Sequence, residues 1–153
     1  MSQSFDDRKF DTTSVKLLVR STTLNRSDVT ALLGVEPTRA WNPGERHPIS
    51  KGSTLTRVVE WGQWQLKIYD NKNSVEFKIR KLLQQCTSNL EAWRILRTEY
   101  EVCLTVSVYP DDWHGELILS PEILMLLAER QLPLECGVYC FGDETFNAES
   151  EMT

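Results

Sequence analysis

Positions 102–109 read VCLTVSVY, in which Val102, Leu104, Val106 and Val108 alternate strictly with Cys103, Thr105, Ser107 and Tyr109. A period of two puts one set on each side of a β-strand, so this segment requires a sheet with one apolar face to bury and one face that tolerates polar side chains. A single strand is not stable in water. The rest of the chain must therefore supply neighbouring strands and an apolar layer to cover the buried face.

Further strand signals are present. Val15, Leu17 and Val19 alternate with Lys16 and Arg20, which predicts a strand from near Val15, after a polar lead-in over residues 1–13. Beyond residue 57, Val59 and Trp61 share one parity and Trp64, Leu66 and Ile68 the other; the switch at Gly62 predicts a bulge or a tight turn. A last strand is predicted from about residue 134 to 141. PDDWHG, at 110–115, reads as a hairpin loop leading to one more strand at 116–119.

Helix signals separate these strands. Asn25 or Ser27 can cap a short helix with Val29, Leu32 and Leu33 on one side; Gly34 stands where a left-handed residue ends it, and Pro37 prevents it from resuming. Asn73 with Glu76, and Ser88 with Glu91, both have capping-box spacing, which predicts two helices at an angle. The first carries Val75, Ile79, Leu82, Leu83 and Cys86 as its apolar stripe, the second Leu90, Trp93 and Leu96. Ser120, Pro121 and Glu122 place a cap, a first-turn proline and a carboxylate ahead of Ile123, Leu124, Leu126 and Leu127. A leucine, a cap, an amphipathic helix and a proline recur over 24–37 and 119–133, an echo that suggests a duplicated strand-helix unit. The fold class is α+β: a mainly antiparallel sheet of about five or six strands with helices packed on one face.

At 153 residues and 41% hydrophobic composition, the chain fits one domain, predicted over 14–142 and followed by an acidic tail at 143–153. No run approaches the roughly 20 apolar residues that span a bilayer, and the start lacks the apolar segment of a signal peptide, so a cytoplasmic location and no membrane contact are expected. The net charge of −5 argues against a nucleic-acid partner, since phosphate backbones are held by clustered Lys and Arg. The four cysteines are expected to be reduced thiols.

Two segments, LGVEPTRAW at 33–41 and LSPEILMLLAERQLPLECGVY at 119–139, resemble the signature stretches of an uncharacterised bacterial domain-of-unknown-function family of about this length. In that family the first stretch also closes a short helix and leads through a glycine-containing loop to a tryptophan-bearing strand, a part that Trp61 or Trp64 can play here. The resemblance implies no catalytic residues. It suggests a small accessory or immunity-type protein.

Chemistry concentrates in residues 38–56, which hold Pro43, Gly44, Pro48 and Gly52 and read as a long loop. With Arg57, this stretch sets Arg39, Arg46 and Lys51 against Glu45 alone, a local excess of three positive charges in an acidic protein. Arg39, Arg46, Arg57 and His47 beside Trp41 can grip carboxylate or phosphate, with Trp41 as anchor. In the plainer account Trp41 is a core lid over the helix end and the basic residues pair with nearby acids. Asp111, Asp112 and His114 invite a metal or acid-base role, but Asp after Pro is ordinary turn chemistry. Cys136 and Cys140, if on one strand, stand about 13 Å apart, too far for thiolates that share a zinc at about 4 Å separation; on a helix they would share a face. Trp61, Trp64 and Trp93 occupy periodic positions and are expected in the core.

No metal or cofactor is expected, and no nucleophile motif such as GxSxG or a P-loop is present. The predicted function is a non-catalytic protein-binding module of accessory or immunity type, whose net charge would suit a basic partner. The alternative is a small anionic-ligand binder or weak enzyme with a pocket near Arg39, Trp41 and His47.

Overall fold

A computed structural model describes residues 12–70, 73–110 and 117–139. In chain order its elements are β1 (Thr12–Ser21), α1 (Arg26–Leu33), β2 (Arg39–Trp41), β3 (Arg46–Pro48), β4 (Thr56–Val58), β5 (Gly62–Asp70), α2 (Val75–Gln85), α3 (Leu90–Glu99), β6 (Glu101–Tyr109), α4 (Pro121–Glu129) and β7 (Leu134–Val138). Five strands form one sheet in the order β2-β5-β1-β6-β7, while β3 and β4 pair separately. All pairings are antiparallel except β6 with β7. β1, β2, β5 and β6 lie as β2-β5-β1-β6, so the β1–α1–β2 and β5–α2–α3–β6 units interleave. This is the split β-α-β order of ferredoxin-like folds, with β3–β4 inserted and α4–β7 appended.

The alternation read from the sequence decides which face is covered. Val15, Leu17 and Val19 of β1, Trp64 and Leu66 of β5, and Leu104 and Val106 of β6 are buried in one cluster with Val29, Leu33, Ile79, Leu82, Trp93, Leu96, Ile123 and Leu127 from the four helices. The opposite face of the sheet is open, and Lys16, Leu18, Arg20, Cys103 and Thr105 are all at least partly accessible there. Trp93 fixes α3 to the preceding turn through Nε1 to the Thr87 carbonyl at 2.8 Å. Trp64 fixes α1 to the sheet through Nε1 to Thr30 Oγ1 at 3.0 Å.

The helix caps act largely as their residue types dictate. Asn25 caps α1 by accepting from Ser27 N and Asp28 N, and Gly34 ends it at φ 70°, a left-handed value that glycine adopts without strain. Ser120 caps α4, with Pro121 at its first position. The caps of α2 and α3 sit one residue later than predicted, at Ser74 and Asn89. Glu76 therefore does not close a capping box on its own helix; its carboxylate accepts from Ser120 N and ties α2 to the start of α4.

The structure revises four further expectations. β1 begins at Thr12, ahead of Val15, because its pairing with β5 and β6 continues past the apolar alternation. Residues 38–56 are not one loop: they supply the edge strand β2 and most of the small hairpin β3–β4. Gly62 marks neither a bulge nor a turn within one sheet. The chain leaves β4 after Val58 and enters the main sheet at Gly62, where a Cβ would lie 2.7 Å from Pro43 Cδ and 2.9 Å from Leu24 Cβ, so only glycine fits. Residues 117–119 form no strand but run directly into the Ser120 cap. Glu116, with Asp111, Asp112, His114, Cys140 and the 143–153 tail, lies outside the described residues.

Sequence periodicity did not reveal Lys78. It lies on the side of α2 turned toward the sheet and is fully buried; its Nζ donates to the Thr13 carbonyl at 2.8 Å and to Thr13 Oγ1 at 2.6 Å, with Asp70 Oδ1 4.0 Å away. A buried ammonium persists only when such oxygens replace its water. Lys78 thereby ties α2 to the start of β1 and the end of β5.

Candidate functional site

The register of β2 against β5 sets Arg39 opposite Gln65, Ala40 opposite Trp64, and Trp41 opposite Gln63. Ala40 therefore turns with Trp64 toward the helices, whereas Arg39 and Trp41 lie on the open face. Trp41 is half-buried rather than a core lid. Its Nε1 donates to the Trp61 carbonyl at 2.9 Å, joining β2 to the bridge between the two sheets.

Rings and cations stack around Trp41. The Arg39 guanidinium carbon sits 4.9 Å from the centre of the Trp41 ring, and the His47 ring packs against it at 5.2 Å with a 54° tilt. Trp61, expected in the core, is 45% exposed, with the Arg20 guanidinium 5.4 Å from its ring centre. Its parity explains the difference: Trp61 lies an odd number of positions before Trp64, and no bulge at Gly62 restores the phase, so the two indoles do not share a face.

The inserted hairpin extends this corner. In β3–β4, His47 pairs with Arg57 and Arg46 with Val58. Beyond that pair Ile49 N donates to the Leu55 carbonyl at 3.0 Å, so Ile49 and Leu55 continue the His47 side of the hairpin, where they are 57% and 67% exposed. Arg46 and Arg57 are thus on opposite sides, and only Arg57 stands with His47. Of the five residues singled out from the sequence, the structure unites Arg39, Trp41, His47 and Arg57 on one side and turns Arg46 away. Sequence reasoning missed Arg20, Trp61, Ile49 and Leu55, which reach the same corner through strand register.

The charges here are unevenly compensated. Glu45 lies 3.7 Å from Arg26 Nη1 and 3.6 Å from His47 Nε2, and Arg20 pairs with Glu101 at 3.0 Å. Arg39, Arg46, Lys51 and Arg57 have no ion pair among the described residues. Glu45, the one acid within the segment, is engaged with Arg26 outside it and with His47 rather than with any of these four cations. A cavity of about 560 Å³ runs beside Arg39, lined by Arg26, Ser27, Thr30 and Ala31 of α1, by Glu36 and Pro37, and by Thr38 and Ala40; neither Trp41 nor His47 is among its walls. A second, of about 370 Å³, lies on the open face, lined by Lys16, Leu18, Arg20, Glu101, Val102, Cys103, Thr105, Glu135 and Tyr139.

The thiols show no paired chemistry. Among the described residues Cys86, Cys103 and Cys136 are free, and burial pushes the Cys86 thiol up to about 12 despite the opposing influence of Arg130. Cys136 lies on β7, as the strand reading required. No group of three or more His, Cys, Asp or Glu among the described residues is placed to hold a metal ion, and no described helix is long and apolar enough to cross a membrane.

An open sheet face bearing an arginine–tryptophan corner defines this molecule as an α+β protein with an exposed polar and aromatic surface. The family follows from its sequence: residues 11–141 match the model of a domain of unknown function, DUF4279, and the chain belongs to that family. No curated protein and no solved structure matches it.

Proposed function

We propose that this protein is a non-catalytic protein-binding module whose recognition surface is the corner formed by Arg39, Trp41, His47, Arg57, Trp61, Ile49 and Leu55. The observation that carries this reading is the co-location of two accessible indoles and two apolar hairpin side chains with Arg39 and Arg57, which have no acidic partner among the described residues. Tryptophan and arginine are enriched among the few residues that dominate binding at protein interfaces, because a ring buries a large area at low entropic cost and a guanidinium grips carboxylate bidentately. The partner that fits presents an apolar patch rimmed by acids. Residues 39–57 carry +3 within a chain of net charge −5, so the remainder carries −8; the basic partner that the net charge alone would suit is replaced here by one with acidic groups, because the local charge of the corner decides what docks on it.

Affinity capture with the wild-type chain, Trp41→Ala and Leu55→Asp tests the reading. A stoichiometric protein is expected with the wild type and should be lost with both variants. Leu55→Asp changes an exposed side chain and should leave the melting temperature unchanged, which separates lost recognition from lost folding. Undiminished capture by both variants sinks the proposal.

A further inference from the structure

We propose that the open face of the sheet docks on the same face of a second copy of this chain, in a symmetric dimer whose two-fold axis runs parallel to the strands, between β1 and β6. This goes beyond partner binding at the corner and stands independently of it. Strand register lays the open face out in rows. Tyr69, Ser14, Ser107 and Gly137 form one, with the Tyr139 ring close over Gly137. Lys67, Lys16, Thr105 and Glu135 form the next, and Leu18 stands beside Cys103 in the third. The charges divide by strand: the lysines lie on β5 and β1, and Glu135 lies on β7.

Each row complements its own reverse. The axis lays β5 over β7 of the second copy and β1 over its β6, so Lys67 meets Glu135 of the second copy, Tyr69 meets its Tyr139, and Leu18 meets its Cys103. Lys16, Lys67 and Glu135 have no ion pair among the described residues, so these charges are available to a second copy. An axis across the strands would stack β5 on β5 and β7 on β7, gathering lysines on one side and glutamates on the other, which like-charge repulsion disfavours. Tyr69 and Tyr139, 59% and 51% exposed, supply apolar area on the two flanks. The hollow of about 370 Å³ spans β1 and β6, where the axis passes, and gives room for side chains to interleave between sheets about 10 Å apart. The area suffices. β1, β5 and β6 are nine or ten residues long, about 30 Å, and with β7 they span about 19 Å. The resulting face of about 600 Å² per copy reaches the roughly 1,200 Å² total at which stable interfaces begin. β2 lies outside the overlap, which leaves Arg39 and Trp41 accessible to a partner.

The test is sedimentation equilibrium of the full chain at concentrations up to about 200 μM, where a dimer is expected. Lys67→Glu and Glu135→Lys change exposed side chains that have no ion pair to lose, so far-UV circular dichroism should stay unchanged. Each should nevertheless weaken dimerisation at least about tenfold, because it sets two like-charged pairs across the axis. Mixed in equal amounts, the two variants should form a heterodimer, since both reciprocal contacts then pair opposite charges. Leu55→Asp, on the hairpin beyond β2, should dimerise as the wild type does. A chain that stays monomeric at about 200 μM overturns the proposal and assigns the face to another occupant, the segment beyond Tyr139 or a foreign protein. A dimer that both charge variants leave intact, that their mixture fails to restore, or that Leu55→Asp abolishes also overturns it, because the copies then meet elsewhere.

Discussion

The two strand–helix–strand units, β1–α1–β2 and β6–α4–β7, begin alike and finish differently. Each helix is capped by a short polar residue, Asn25 or Ser120, and each buries apolar side chains against the sheet. Each unit also carries an aromatic residue to the open face at opposite edges, Trp41 at one and Tyr139 just beyond β7 at the other. β7 lies directly beside β6, whereas β5 is inserted between β1 and β2. Tyr139 is satisfied within the fold, stacked on Tyr109 at 5.1 Å with its ring close over Gly137. Trp41 is surrounded instead by cations and by a hairpin that reaches past the sheet. The same local code thus builds two edge strands, one whose aromatic residue is stacked on another ring and one whose aromatic residue stands among cations.

The comparison can be broken first at the core, where the two units should behave alike. Leu33→Ala in α1 and Ile123→Ala in α4 each empty a fully buried site and should each cost about 2–5 kcal/mol in urea unfolding. A cost near zero for either would mean that its helix is not held by the shared core.

The edges should then diverge in binding. Trp41→Ala is expected to weaken partner capture by about tenfold or more, roughly 1.4 kcal/mol, with Tyr139→Ala leaving it unchanged. Equal losses, read by titration against the captured partner, would remove the distinction.

The helix ends sharpen the contrast with opposite signs. Gly34 has φ 70° and Gln131, one residue past the Arg130 cap, has φ 49°. Gly34→Ala should therefore destabilise by about 1 kcal/mol, and Gln131→Gly should be neutral or stabilising by up to about 1 kcal/mol, once the lost Arg97–Gln131 hydrogen bond is allowed for. Melting temperatures of the two variants check the pair. A shift in the same direction for both would mean that backbone conformation does not set these ends.

The smallest effect is in the thiols. Cys136 on the open β7 edge should react with a disulfide reagent in the native protein, and buried Cys86 only after unfolding. Because burial raises the Cys86 thiol from 9.0 to about 12, its stabilising contribution is complete below pH 9 and is lost as the pH rises toward 12. Cys86→Ala should flatten that alkaline decline in an unfolding series; an unchanged slope would show that the decline comes from other groups.

Much of the element pattern was legible in the chain. Strict alternation set β6 and the covered face of β1, and Asn25, Gly34 and the Ser120–Pro121 pair fixed the ends of α1 and the start of α4. These signals are local, arising from hydrogen bonds and steric limits within a few residues. The site was only half legible. A concentration of arginine around Trp41 was visible, but its arrangement was not, because strand register decides that Arg39 and Trp41 share the open face, that Arg46 turns away, and that Arg20 and Trp61 join from distant positions.

What the sequence by itself determined is the α+β class, the apolar face of each main strand and the helix boundaries to within about a residue or two at the ends it marked. Tertiary structure alone decided the β2-β5-β1-β6-β7 order, the transfer of Glu76 to the α4 cap, the burial of Lys78 against Thr13, and the close approach of Pro43 and Leu24 that reserves position 62 for glycine. The physical reason is range. Periodicity and capping act through neighbours along the chain, whereas strand order and packing depend on contacts between residues dozens of positions apart, which become defined only when the chain closes on its core.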